Sequence, residues 1–130
     1  MSSIFNRIIK GEIPCHKILE NKEFLAFLDI KPLRPGHTLV IPKKEVDYLF
    51  DLEDDLLGKL INFSKKVAAM IKKEISCKRI GIIVAGLEVP HAHVHLVPIN
   101  ALGDLSFTKA THTSDEDLAK VAEGIRKHSI

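Results

Sequence analysis

Three histidines alternate with apolar residues in the run His91-Ala92-His93-Val94-His95. Along an extended strand, side chains at every second position point to the same face, about 6.5–7 Å apart. The three imidazoles would therefore converge on one small area. Imidazole titrates near neutral pH, so one ring can attack as a neutral nitrogen while a neighbouring ring donates a proton. This spacing indicates a site for nucleophilic and acid catalysis.

Two other interpretations of the three histidines follow from the residues alone. If the rings only filled space, each buried ring would need its own hydrogen-bond partner, which is a costly arrangement. Metal binding is the stronger alternative, because neutral imidazole is a favoured zinc ligand and alternating histidines on a strand can hold one ion. From the residues alone, metal binding and phosphoryl chemistry stay equally open.

The N-terminal part of the chain predicts one short helix and a β-hairpin. Ser3 can cap a helix over residues 4–10, and Gly11 can end it because glycine adopts the left-handed conformation common at helix ends. The segments 17–20 and 24–29 are short and apolar-rich, which is typical of the two strands of a hairpin.

A breaker-rich loop and a long helix follow the hairpin. Residues 37–41 form a β-like run that is closed by Pro42. The loop before this run contains Pro32, Pro35 and Gly36. From Asp51 to Lys73, apolar residues recur at helical spacing, with acids in the first turn and lysines in the last. The pattern predicts a long amphipathic helix.

The remaining elements are two strands and a C-terminal helix. Residues 79–85 are rich in β-forming side chains, residues 91–98 alternate strictly, and Ser114 can cap an amphipathic helix. Strands and helices are mixed without a regular βαβ alternation. We therefore predict an α+β fold with a mainly antiparallel sheet, one long central helix and a C-terminal helix.

Size, charge and hydropathy exclude several classes of protein. A length of 130 residues suits a single domain over residues 1–130, and a net charge of +2 with well-mixed acids and bases predicts no nucleic-acid partner. No stretch approaches the ~20 apolar residues of a membrane helix, and no export signal is visible. The two cysteines form no Cys-x-x-Cys pair, which suits a reducing compartment. We expect no membrane partner and a cytoplasmic location.

The histidine run and three other segments resemble the histidine-triad (HIT) family, in its bacterial type. Residues 3–14 (SIFNRIIKGEIP) resemble the family's N-terminal segment, and residues 24–30 (FLAFLDI) and 35–43 (PGHTLVIPK) resemble its next two strands and their loop. The resemblance covers residues 3–98, and residues 99–130 form a divergent extension with a helix. It implies a HIT-like fold whose sheet continues across a homodimer.

The resemblance assigns catalytic roles to four histidines. His93 matches the family's nucleophile, which attacks the α-phosphorus of a nucleotide conjugate and forms a transient nucleotidyl-histidine that water cleaves. His95 matches the residue that contacts the phosphate and helps to protonate the leaving group. His91 and His37 match an orienting pair behind the nucleophile.

The resemblance also implies a binding pocket for a purine nucleotide. Five positions match an apolar slot for the purine ring: Phe5, Ile8, Ile13, Phe27 and Ile30. Asp29 matches the carboxylate that accepts hydrogen bonds from both ribose hydroxyls, and an acid inside an apolar run needs such a partner when it is buried. A turn-forming role before Pro32 is the alternative for Asp29.

The turn before the histidines departs from the family pattern. Many relatives have Gly-Gln-Ser or Gly-Gln-Thr there, whereas this chain has Gly-Leu-Glu-Val-Pro at residues 86–90. The resemblance implies that Glu88 and Val89 occupy nucleotide-binding positions. An ionised Glu88 would repel a nearby phosphate, so it is either solvated in the turn or paired with a basic part of the substrate.

The positions of a zinc site that some bacterial relatives carry are also changed. Those relatives use two cysteines and a histidine, and this chain has Ser3, Asn6 and Glu45 in their places. The soft ligands that zinc prefers are missing, so the sequence predicts no structural metal, and it predicts no cofactor.

Together these features predict a hydrolase of purine nucleoside phosphoramidates or of related nucleotide conjugates such as dinucleoside polyphosphates. The related transferase branch has glutamine where this chain has His95, which favours hydrolysis. Two alternatives remain: a non-catalytic, regulatory purine nucleotide-binding protein, suggested by the changed turn, and a metal-binding protein that uses the three histidines.

Overall fold

A computed structural model describes residues 3–129 of the chain. The elements in chain order are α1 (Ile4–Ile9), β1 (Lys17–Glu20), β2 (Phe24–Leu28), β3 (Thr38–Pro42), α2 (Asp54–Glu74), β4 (Arg79–Ile83), β5 (Val94–Ile99) and α3 (Asp115–Arg126). Short 3-10 turns lie at Leu49–Asp51, Leu102–Leu105 and Phe107–Lys109. The predicted α+β class, with its long central helix and C-terminal helix, is confirmed.

The five strands form one sheet in the order β1-β2-β3-β5-β4, and every neighbouring pair is antiparallel. Helices α2 and α3 pack on one face, where their apolar sides meet residues such as Val40, Val94 and Leu96. Helix α1 lies on the other face, beside a smaller apolar cluster around Phe5 and Phe27. Within residues 3–129, no helix is long and apolar enough to cross a membrane.

The helix boundaries follow the expected capping residues. The hydroxyls of Ser3 and Ser114 accept hydrogen bonds from backbone N–H groups in the first turns of α1 and α3, as N-caps do. Gly11 has a φ of 80° just beyond α1. Helix α2 begins at Asp54 rather than at Asp51, because a separate 3-10 turn and two residues with extended backbone precede it.

The strand predicted over residues 91–98 begins only at Val94. Before this point the chain leaves the sheet: the N–H of Ala92 donates to the carbonyl oxygen of Val46, and that of His91 donates to the carbonyl oxygen of Val89. These bonds bend the segment toward the loop after β3. The alternating sequence therefore continues beyond the hydrogen-bonded strand.

The loop between β2 and β3 returns the chain to the sheet at His37. Gly36 has a φ of 93°, and a Cβ atom there would lie 3.0 Å from Ile75 and 3.2 Å from Pro98. Glycine is suited to this position because it tolerates the left-handed conformation and needs no space for a side chain. The loop can therefore pack closely against the sheet and the end of α2.

Candidate functional site

A cavity of about 480 Å³ opens on the sheet face that carries α1. All eight pocket residues expected from the resemblance line it: Phe5, Ile8, Ile13, Phe27, Asp29, Ile30, Glu88 and Val89. His93 and His95 also line the cavity. His91 and His37 are buried outside its lining, so the four histidines form a front pair and a rear pair.

The strand register places His95 on the cavity face. Phe27 of β2 lies opposite Leu39 of β3, and Leu39 lies opposite His95 of β5. Residues opposite each other on neighbouring strands point to the same face, so these three side chains form one row. Val94, the residue before His95, points to the opposite face, into the core beneath α2.

The hydrogen bonding of His93 fixes which nitrogen of a neutral ring is free to face the cavity. Its Nδ1 lies 2.7 Å from the carbonyl oxygen of His91. A carbonyl oxygen only accepts, so Nδ1 carries the proton and Nε2 of the neutral ring keeps its lone pair. Within residues 3–129, only Arg34 Nε is a buried side-chain nitrogen or oxygen without a partner. His93 Nε2 makes no hydrogen bond in that range and is therefore accessible.

His91 supports His93 from behind. Its Nε2 donates to the carbonyl oxygen of Pro42 at 2.7 Å, and its Nδ1 lies 3.4 Å from the hydroxyl oxygen of Ser3. Burial lowers the pKa of His91, which favours a neutral ring whose Nδ1 accepts from Ser3. Both ring nitrogens thus face protein groups, and His91 meets His93 through its backbone carbonyl.

His37 lies behind His95, which corrects the expectation that it pairs with His91 behind His93. The backbone N–H of Leu33 donates to His37 Nδ1 at 3.0 Å, so the proton of a neutral His37 must be on Nε2. His37 Nε2 lies 3.0 Å from His95 Nδ1 and donates to it. The neutral His95 ring must then carry its own proton on Nε2.

Both rings of this pair are uncharged at neutral pH. Burial lowers the pKa of His37 to about 4. Burial, with smaller effects from His37 and His93, also lowers the pKa of His95 to about 4. Removal from water disfavours the imidazolium form. His95 can therefore offer a neutral N–H donor beside the lone pair of His93.

Asp29 follows β2 and combines a turn-forming contact with a place in the cavity wall. The N–H of Lys31 donates to its Oδ1 at 2.9 Å, and its Oδ2 lies 3.7 Å from His37 Nε2. Burial raises the pKa of the Asp29 carboxyl, because desolvation penalises its charged form. The structure thus contains the turn-forming contact of Asp29, and the same residue lines the cavity.

The apolar wall of the cavity contacts the His93 ring directly. The ring of Phe5 lies edge-on to His93, with centroids 5.0 Å apart, and edge-on to Phe27 at 5.6 Å. Ile30 is 58% exposed although it lines the same cavity. An apolar wall with an open side can accept the flat face of a ring.

Phe107 is a site residue that the sequence did not reveal. It lies after β5, within residues 99–130, is 48% exposed, and its ring centroid lies 5.2 Å from that of His95. Its segment is anchored by Asp104, which accepts the N–H groups of Asn100 and Ala101 and lies 3.5 Å from Arg34. No motif surrounds Phe107, so no sequence signal marked it.

Asp29, His37 and His95 also place three possible metal ligands within 4.8 Å of one another. This set differs from the three alternating histidines, since both His91 nitrogens face protein groups. A metal ion here would displace the proton on His37 Nε2 while Leu33 still donates to Nδ1, leaving an anionic ring. The hydrogen bonds of His37 therefore favour a proton, rather than a metal ion, on its Nε2.

Comparisons with known proteins show the family of the chain. The sequence profile of the HIT domain matches residues 10–102. An uncharacterized HIT-like protein of Methanocaldococcus jannaschii is 38% identical over 128 residues, covering 95% of this chain and 98% of that protein. An adenosine 5′-monophosphoramidase of Schizosaccharomyces pombe is 39% identical over 99 residues, covering 75% of this chain and 74% of that protein.

The fold is shared with solved structures. A HIT-like protein of Bartonella henselae superposes with a TM-score of 0.86 at 32% identity, covering 97% of this chain and 95% of that chain. The profile match spans most of the chain, and the Methanocaldococcus jannaschii relative aligns over 95% of it. The chain therefore belongs to the HIT-domain family.

Proposed function

We propose that this protein hydrolyses purine nucleoside 5′-phosphoramidates through a nucleotidyl intermediate on His93. The observation that carries the proposal is the hydrogen bond from His93 Nδ1 to the His91 carbonyl, which leaves Nε2 as an accessible lone pair beside the N–H of His95. A positioned nucleophile next to a donor is the arrangement that covalent phosphoryl transfer needs.

The cavity suits the nucleoside part of such a substrate. The apolar wall around Phe5, Phe27 and Ile30 offers a surface for a purine ring. Asp29 supplies a carboxylate that can accept hydrogen bonds from the ribose hydroxyls. These groups would hold the α-phosphorus near His93, and positioning of this kind contributes much of the rate enhancement in phosphoryl transfer.

The proposed reaction has two steps. In the first step, His93 Nε2 gives its electron pair to phosphorus and the bond from phosphorus to the leaving nitrogen breaks. The leaving nitrogen keeps the bonding pair and takes the Nε2 proton of His95, which a proton from solvent replaces. In the second step, water attacks phosphorus, the pair of the P–N bond returns to His93, and one proton leaves to solvent.

The relatives support this reaction class. The Schizosaccharomyces pombe relative is named an adenosine 5′-monophosphoramidase. A second relative with that name, from Saccharomyces cerevisiae, is 40% identical over 96 residues and covers 73% of this chain. Both align over about three quarters of this chain.

The test is turnover of adenosine 5′-phosphoramidate by the protein and by His93→Ala. We expect the substitution to lower kcat/KM at least about a hundredfold, since it removes the nucleophile. Mass spectrometry after an alkaline quench should detect one added nucleotidyl group on the unaltered protein and none on the variant. His112→Ala, which changes an exposed histidine outside the cavity, is the matched control and should keep full activity.

The changed turn at residues 86–90 supports a second candidate, a nucleotide-binding protein without catalysis. Calorimetry with AMP separates the two functions. Binding of AMP without turnover of the phosphoramidate or of a dinucleoside polyphosphate would support the second candidate and exclude the first. His93-dependent turnover would exclude the second.

A further inference from the structure

The charges lining the cavity are unusual for a site that accepts phosphates. Two carboxyl side chains, Asp29 and Glu88, line it together with His93 and His95. Within the described part of the chain, the lining includes no lysine and no arginine. Proteins that bind several phosphates in a row normally supply arginine or lysine to offset their charge.

The two carboxyl groups have different surroundings. Asp29 is partly buried and is held by the N–H of Lys31, and its proposed partners are the ribose hydroxyls. Glu88 is exposed in the turn that leads into the histidines, and it makes no ion pair among residues 3–129. Glu88 is therefore the carboxylate that remains for another part of the substrate.

The charges of the cavity lining determine which charged groups of a substrate are attracted or repelled. The single charge of an α-phosphate can be met by N–H donors such as that of His95. Every further phosphate or carboxylate would add negative charge beside Glu88 without a cation in the lining to balance it. A positive group on the leaving amine would instead be attracted.

We propose that Glu88 selects nucleoside phosphoramidates whose leaving amine carries a second, cationic amino group. The inference rests on the proposed function and names its leaving-group class. The P–N bond breaks as described above, and the second ammonium group takes no part in the chemistry. It is held by the carboxylate of Glu88 and leaves with the released amine.

The experiment compares three AMP phosphoramidates with leaving groups of equal length. One is made from a diamine and ends in an ammonium group, one is made from an alkyl monoamine, and one is made from an amino acid that ends in a carboxylate. We expect kcat/KM to fall in that order by about twofold to fivefold at each step in low salt, as an exposed charge pair allows. The differences should shrink at high ionic strength.

Two variants test whether Glu88 is the cause. Glu88→Gln should bring the cationic-to-neutral and neutral-to-anionic ratios of kcat/KM close to one. Glu123→Gln removes the same charge from an exposed position of α3 outside the cavity, and it should keep the order and the activity of the unaltered protein.

The outcomes separate this inference from the proposed function. If the neutral substrate is turned over in a His93-dependent way but the order does not follow charge, or persists in Glu88→Gln, the inference is wrong and the proposed function stands. If none of the three substrates is turned over, both are wrong. If kcat/KM falls from the cationic to the neutral to the anionic substrate, and this order disappears in Glu88→Gln but not in Glu123→Gln, both the inference and the proposed function are supported.

Discussion

His37 determines which hydrogen His95 can offer, although it does not touch the cavity. The N–H of Leu33 fixes the lone pair on His37 Nδ1, and the proton on His37 Nε2 then fixes the lone pair on His95 Nδ1. A backbone amide thus sets the tautomer of a ring two hydrogen bonds away. His37 is a positioning residue, because it acts through His95.

We expect His37→Leu to lower kcat about tenfold or more, because His95 would lose the partner that keeps its proton on Nε2. His37→Gln should recover part of this loss, since its amide can accept from Leu33 and donate to His95. The acid limb of the pH profile of kcat/KM should also change in His37→Leu, because Nδ1 of His95 becomes free to bind a proton. If His37→Leu and His37→Gln have the same kcat and the same pH profile as each other, His37 does not position the proton of His95.

Asp29 is expected to recognise ribose, and substrate analogues can measure this. The unaltered protein should prefer the ribonucleoside phosphoramidate over its 2′-deoxy analogue by at least about tenfold in kcat/KM, since a hydrogen bond to a charged group is worth about 1.5–3 kcal/mol. In Asp29→Asn this preference should shrink to about twofold. A preference that is unchanged in the variant would assign ribose recognition to another group.

At the scale of the elements, the loop between β2 and β3 and the segment after β5 are held against each other. The N–H of Thr111 donates to the carbonyl oxygen of Pro32, and Arg34 lies near Asp104. The first segment supplies His37 and the second supplies Phe107. The segment after β5 therefore reaches the histidines that lie on β5 and before β3.

Gly36 is the position at which this arrangement is most sensitive to substitution. Gly36→Ala should lower the free energy of unfolding by about 1–3 kcal/mol, because the φ of 93° is strained for alanine and the new Cβ would lie 3.0 Å from Ile75. Gly58→Ala in α2 is the matched control: no atom lies within 4 Å of the added Cβ, and it should stabilise by about 1 kcal/mol. Urea unfolding measures the free energy of unfolding of both variants. Equal changes in the two variants would mean that the backbone conformation and close contacts of Gly36 do not limit substitution there.

At the scale of the whole molecule, local sequence patterns predicted the elements better than their contacts. Capping residues such as Ser114 and the helical spacing of apolar residues predicted where the helices lie, because capping and amphipathicity are local properties. The pairing of His37 with His95 depends on a hydrogen bond from Leu33 across a folded loop. Phe107 reaches the site through tertiary contacts of Asp104, so neither feature leaves a pattern in the sequence.

The buried pair His37 and His95 should make stability depend on pH. Each ring has an unfolded pKa near 6.5 and a folded pKa of about 4. Between these values the unfolded chain binds more protons than the folded protein, so the free energy of unfolding is greatest above pH 6.5 and falls as the pH is lowered toward 4. The expected loss between pH 7 and pH 5 is about 2 kcal/mol for each histidine.

Urea unfolding at pH 7, 6 and 5 tests this dependence in the unaltered protein and in His95→Gln. The variant lacks one of the two titrating rings, so its loss of stability between pH 7 and pH 5 should be smaller by about 2 kcal/mol. The raised pKa of Asp29 acts in the opposite sense at lower pH, since there the folded protein binds the extra proton. If the unaltered protein is equally stable at pH 7 and pH 5, the two rings are not buried in neutral form, and the tautomers inferred for His95 and His37 are wrong.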